Sequence, residues 1–224
     1  MIDNNGVSIE EIKKDRLVAK FLEKADAHLN AIGYTEHGFR HANISSERAK
    51  AILESLGCSE KDRLLAAIAG LLHDIGNMVA RVNHGQIGAM LTYEILKKYN
   101  METEDIATVM SAIGNHDEDV GEPTDIISAA LVLGDKSDVH RTRVRNTQMI
   151  SFDIHDRVNY AVTESAIEVY SEKKAVILRL KIDTTISQVM EYFEIFLSRM
   201  ILSKKAARIL GCEFQLIIND VNLL

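Results

Sequence analysis

Leu71-Leu72-His73-Asp74-Ile75-Gly76-Asn77 follows directly on an apolar run, Ala66-Ala67-Ile68-Ala69-Gly70, so a histidine and a carboxylate stand at the end of a buried helix. Burying such a pair is costly unless something compensates it, and a metal ion is the simplest compensation. Further candidate ligands lie near helix ends on both sides, at His41, His84, His116 and Asp135. Neighbours on a helix point about 100° apart. His73 and Asp74 therefore reach one small site only if it lies in the sector between them, a freedom that a helix end gives, and Gly76 is expected to terminate that helix.

Helical periodicity surrounds this stretch. Ser8 and Glu11 make a capping box for a helix over about 9–31, and helices follow over about 37–56, from Ser59 to the His-Asp pair, and over about 84–99. Thr103 is expected to cap the next, which ends at Gly114-Asn115-His116. Pro123 and Thr124 start one that reaches Asp135. After Asn146 the pattern changes to alternation. Residues 158–170 and 176–182 read as strands with a hairpin turn at Ser171–Lys174 and a change of parity near Glu164. A long helix over about 185–210, with Ile186, Val189, Met190, Phe193, Leu197 and Met200 on one face, precedes a last strand at Phe214–Ile218. The expected fold is mainly α, a helical bundle over 1–148 carrying the metal site, with a small β-β-α-β appendage over 149–224.

Histidine at 41, the adjacent His73-Asp74 and the distant Asp135, set in LLHDIGN and LGDKSD, resemble the HD-domain metal-dependent phosphohydrolases over roughly residues 35–146. Some members carry two more histidines between the pair and the last aspartate, where His84 and His116 stand here. The resemblance implies one or two divalent ions (Mn, Fe, Co, Ni, Zn or Mg): two would take His41, His73, Asp74, His84, His116 and Asp135 with Asp74 shared between them, whereas one would take His41, His73, Asp74 and Asp135 and leave His84 and His116 to bind substrate phosphate or to orient the ligands. Cyclic-di-nucleotide phosphodiesterases typically carry a GYP motif after their His-Asp, whereas Gly76-Asn77-Met78 follows here.

The implied activity is hydrolysis of a phosphate ester or phosphodiester of a nucleotide or similar small metabolite through metal-activated water, with Asp74 and Lys136 as the catalytic pair. Lys136 follows the last ligand, where family members often place a lysine near the bound phosphate. Arg141, Arg143 and Arg145 are candidates for holding further oxygens, because guanidinium suits oxyanions, and Arg141 and Arg145 share a face if the helix continues. His37, one turn before His41, is a further candidate substrate contact. Asn115 and Asp117 are candidates for orienting ligand imidazoles, while His28, His140, His155 and the rest of the acidic stretch Asp117-Glu118-Asp119 read as ordinary surface or satisfied groups. Two other functions use the same frame: a di-iron oxygenase, and a nucleotide-binding sensor without turnover.

A net charge of -7 argues against a duplex nucleic-acid partner but not against a phosphorylated one, since a metal brings its own charge. Cys58 and Cys212 are isolated, as reduced cytoplasmic thiols are. No apolar run reaches the length that spans a bilayer, and the polar, acidic N-terminus has the character of neither a signal nor a transit peptide. The expected partner is thus a small phosphorylated substrate, with no membrane, and the apolar long helix leaves a homodimer open.

Overall fold

The computed structural model describes residues 7–145, 147 and 153–223. Helices α1 (Ile9–Lys14), α2 (Arg16–Ala31), α3 (Phe39–Ser55), α4 (Glu60–Leu72), α5 (His84–Lys97), α6 (Thr103–Gly114), α7 (Ile126–Lys136) and α8 (Ile154–Ala161) lead to strands β1 (Val162–Tyr170) and β2 (Ala175–Ile182). Helix α9 (Val189–Ile209) and strands β3 (Glu213–Ile218) and β4 (Val221–Asn222) complete the chain. Short 3₁₀ turns follow α4 at Ile75–Met78 and α7 at Arg141–Arg143. The result is the mainly α fold with a small C-terminal sheet.

Helix α4 is the hub. From Leu65 to Leu72 every residue is buried, each large apolar side chain contributing about 1.5–3 kcal/mol. It packs against α3, α6 and α7. Helix α3 also lies along α7, and the two approach closely at Gly134, where a Cβ would stand 2.8 Å from the Ser45 carbonyl oxygen. That approach carries His41 on α3 towards His73-Asp74 after α4 and Asp135 on α7. One connected core runs from Ile12 through these helices to Ile218 in the sheet.

The sheet order is β1-β2-β3-β4. Strands β1 and β2 are antiparallel from Tyr170↔Ala175 to Val162↔Ile182, with a register shift between Val162 and Glu164 at the expected parity change. Strand β2 runs parallel to β3 through α9, which packs against both strands and against α7.

Several expectations are corrected. The first helix divides at Asp15, which ends α1 and caps α2 by accepting from the Leu17 amide. Thr103 is the first residue of α6 and not its cap, and α7 is capped by Asp125, reciprocally with Ser128. The expected strand start at 158 lies inside α8, a helix capped by Asp153. In α9 the buried arc is Tyr192, Phe196, Met200 and Ala207, while Met190 and Leu197 are exposed. Of the expected face, Met200 is buried and Ile186, Val189 and Phe193 pack against the core, so the buried arc overlaps the expected one and is rotated towards Tyr192 and Phe196. Strand β4 was not anticipated. Its turn places Asn219 and Asp220 at φ 50° and 66°, a two-residue hairpin for which Asn and Asp are suited. The boundary at 148/149 lies outside the described residues.

Candidate metal centre

The six candidate ligands come together, all buried. Their donor atoms form three overlapping groups, His41/His73/Asp74, His73/His116/Asp135 and Asp74/His84/His116, each with its atoms within 4.8 Å of one another. Asp74 divides them. Its Oδ2 is 3.3 Å from His73 Nε2 and 3.7 Å from His41 Nε2, while its Oδ1 is 3.4 Å from His84 Nε2 and 3.8 Å from His116 Nε2. Asp135 Oδ1 closes the first side, 3.1 Å from His41 Nε2 and 3.7 Å from His73 Nε2.

The imidazoles are tied from behind. Each Nδ1 faces an atom that can only accept: Asp138 Oδ2 at 2.8 Å for His41, the Gly70 carbonyl at 2.9 Å for His73, the Arg81 carbonyl at 3.0 Å for His84 and the Ile113 carbonyl at 2.6 Å for His116. Nδ1 therefore carries a proton, which leaves each Nε2, where it is unprotonated, to present a lone pair to the cluster. Two such pairs of nitrogens lie 3.2 Å apart, His41 with His73 and His84 with His116. Lone pairs facing one another repel unless a cation or proton lies between them. Asp74 meets no lysine or arginine among the described residues; its Oδ1 accepts only from Asn77 Nδ2 at 2.8 Å and otherwise faces imidazoles. An ionised buried carboxylate among lone pairs fits a divalent cation, and mixed imidazole-carboxylate donors suit borderline metals.

The electrostatics agree. Burial drives the pKa values of His84 and His116 down, so both stay neutral. Burial also depresses His73, but Asp74 and Asp135 outweigh it and raise the value. Burial opposes ionisation of Asp74 and Asp135, yet neighbouring His73 for the first, and Lys136 with His73 for the second, hold both carboxylates charged.

The local fold explains the aim of His73 and Asp74. Helix α4 ends at Leu72, and the chain turns through Asp74 (φ -97°, ψ -1°) into the 3₁₀ turn. Gly76 is not the left-handed terminator expected of it. A Cβ there would stand 2.0 Å from the His84 carbonyl oxygen and 2.6 Å from the Gly88 amide. It is glycine so that this turn can touch the start of α5, which brings His84 to Asp74.

The other expected residues divide. The His37 ring lies 5.4 Å from that of His41, with Nδ1 on the Thr35 carbonyl at 2.7 Å. Lys136 Nζ is 2.8 Å from Asp135 Oδ2 and 2.5 Å from Glu118 Oε2. Asp117 Oδ2 is 3.3 Å from His84 Nδ1, whereas Asn115 donates to the Ser111 carbonyl of its own helix. The arginine run does not continue a helix. Arg143 is buried and donates to the Glu36 and Asp138 carbonyls, Arg145 is paired with Asp26, and Arg141 lies over the Tyr160 ring. His28 donates to the Asn77 carbonyl and His140 to that of Thr163.

Four contributors were not singled out from sequence. Asp138 holds His41 Nδ1 and is itself gripped by both Arg40 Nη atoms at 3.0 and 3.1 Å. Asn77 holds Asp74. Glu118 is no solvated loop residue but joins Lys136 to Arg199 of α9 at 2.9 Å. Arg81 reaches the edge of the cluster. Of these only Asp138 had a sequence signal, as an acid one helical turn beyond Asp135.

A helical bundle that gathers a His, a His-Asp pair, two further histidines and a distal Asp defines the class. The family model described as HD domain matches residues 34–146, and the chain belongs to that family. It is 28% identical over 162 residues to an uncharacterized protein, MJ1020, of Methanocaldococcus jannaschii, an alignment covering 61% of each protein, so the chain spans about three fifths of that relative's length. The crystal structure of a "predicted HD superfamily hydrolase" from an uncultured Thermotogales bacterium shares 23% identity, covering 60% of this chain and 75% of the other, with a TM-score of 0.46. Among the described residues no helix is long and apolar enough to cross a membrane.

Proposed function

We propose that the protein is a divalent-metal-dependent phosphohydrolase acting on a phosphate ester or diester of a nucleotide or similar small metabolite. The observation that carries this is the division of Asp74, one oxygen towards His41 and His73 and the other towards His84 and His116. Two divalent ions would be held by these sets, His41, His73 and Asp135 on one side and His84 and His116 on the other, with Asp74 common to both. Ions held there would supply Lewis-acid charge and acidify water for phosphoryl chemistry.

The chain's own groups do the rest. Asp74 keeps the two donor sets in register. Lys136 stays protonated, because burial lowers its pKa less than Asp135 and Glu118 raise it, and it fixes Asp135. His37 presents the ring edge not taken by Thr35 beside His41 and is the histidine left to meet substrate. Arg143 braces the segments that carry Glu36 and Asp138, donating to both of their carbonyls.

The test is a hydrolysis screen over phosphomonoesters, diesters and nucleotides, with Mn, Co, Fe or Mg added to metal-stripped protein and Asp74→Ala alongside. Phosphate release that requires metal and disappears in the variant is the expected result. Metal-loaded protein that releases phosphate from none of them would contradict the proposal.

A further inference from the structure

Arg81 lies in the loop between the 3₁₀ turn and α5, half-buried. Its Nη1 is 3.4 Å from His84 Nε2 and 3.4 Å from Asn77 Oδ1, both at the long limit of a hydrogen bond. Its guanidinium lies over the Tyr34 ring, 5.2 Å from the centroid. Among the described residues no carboxylate comes within ion-pair distance of it. The other arginines near the cluster are committed: Arg40 to Asp138, Arg143 to backbone carbonyls, Arg199 to Glu118.

This placement is odd unless an anion is expected. A guanidinium stays charged under all ordinary conditions. Here it faces His84 Nε2, a nitrogen whose lone pair is directed into a donor set suited to cations. Once divalent ions occupy that donor set, as the phosphohydrolase reading has it, a positive charge beside it is repulsive, and the repulsion grows as water is excluded. An oxyanion touching both the guanidinium and the centre turns it into attraction. Arg81 also has its planar fork largely unspent, the geometry that binds two oxygens of one phosphoryl group.

We propose that Arg81 grips the phosphoryl oxygens of the substrate at the His84/His116 side of the centre, and that Tyr34 is a positioning residue that holds the guanidinium there by stacking. The inference rests on the phosphohydrolase reading and adds to it the residue that selects a phosphoryl oxyanion. Tyr34 is 42% exposed and Arg81 is half-buried, so both residues reach the solvent.

The experiment uses the full chain loaded with manganese and inorganic phosphate as the probe, with binding by calorimetry and bound metal by elemental analysis. Arg81→Gln should retain the wild-type number of ions and bind phosphate about 10- to 100-fold more weakly, the loss of one or two charge-assisted hydrogen bonds. Arg81→Lys keeps the charge without the fork and should fall between the two. Tyr34→Leu should weaken phosphate binding about 2- to 5-fold, and Tyr34→Phe should restore it. Wild-type phosphate affinity in Arg81→Gln would overturn the assignment. So would loss of metal together with phosphate, which would place Arg81 in the ligand set, and so would loaded wild-type protein that binds no phosphate. Arg81-dependent phosphate binding in a protein that hydrolyses no ester would sustain the inference and remove the hydrolase reading.

Discussion

His41 is aimed by a carboxylate that cations keep charged. Asp138 accepts from its Nδ1 and from both arms of Arg40, and those groups together with Arg143 hold the pKa of Asp138 far below the usual carboxylate range despite burial. Removing such an orienting partner typically costs 10- to 100-fold in metal affinity. Asp138→Ala should therefore weaken metal binding by about that factor, read by competition with a chelator, and unchanged affinity would show that His41 needs no support. At this scale the sequence showed the donors and hid their supports. His41, His73, Asp74, His84, His116 and Asp135 are conspicuous because imidazoles and carboxylates beside apolar helix ends have few bland explanations. Asp138 and Asn77 act through partners that only the packing of α3, α4 and α7 supplies. The arginine run misled because a cation near a site can equally be spent on carbonyls, as Arg143 is.

Helix ends carry the geometry of the centre, and the contact between the 3₁₀ turn and α5 is the tightest of them. Gly76→Ala puts a methyl carbon 2.0 Å from the His84 carbonyl oxygen, a clash with backbone that no rotamer can relieve. The turn or α5 must move, at a cost of about 1–3 kcal/mol, and His84 moves away from Asp74. Thermal melting of the metal-free variant should fall by several degrees, with weakened metal retention. A wild-type melting temperature would contradict the close approach. Element existence was legible here because long buried helices have strong periodicity and caps such as Ser8 and Ser59 have local signatures. The failures were local too. Asp15 can end one helix and begin the next, and residues 154–161 are too short a segment to separate a helical from an alternating pattern.

Across the whole molecule, the C-terminal helix is wired to the centre. Arg199 on α9 binds Glu118, Glu118 binds Lys136, and Lys136 binds Asp135, while Lys205 pairs with Glu122 of the same loop. Arg199→Met leaves Glu118 half compensated, and stability should fall by about 1–3 kcal/mol, less than the full loss of a buried pair because Lys136 remains. Denaturant unfolding measures this, and wild-type stability would mean that the chain of charges couples nothing. A second tie, Arg157 on α8 to Glu191 at 2.5 Å, gives a pH signature. The hydrogen bonds from Arg157 and Ser187 bring the Glu191 pKa from 4.5 to about 2. A depressed carboxylate stabilises the fold above its unfolded value, so this contribution is complete above about pH 4.5 and is lost as pH falls through about 2. The pair is partly solvated, so Glu191→Gln should cost no more than about 1 kcal/mol at pH 7 and clearly less at pH 2, where the carboxylate is half protonated. An equal loss at both pH values would contradict it. None of this was legible in the chain, since Arg199 and Glu118 are brought together by the packing of α9 on α7 and by no local pattern.

The most direct measurement is the number of divalent ions bound per chain at saturation, in wild type and in Asp74→Ala. Two ions in the wild type, and one or none in the variant, is the result expected of a carboxylate that serves both donor sets. Wild-type protein that retains no ion, or a variant that holds as many as the wild type, would contradict the metal centre itself.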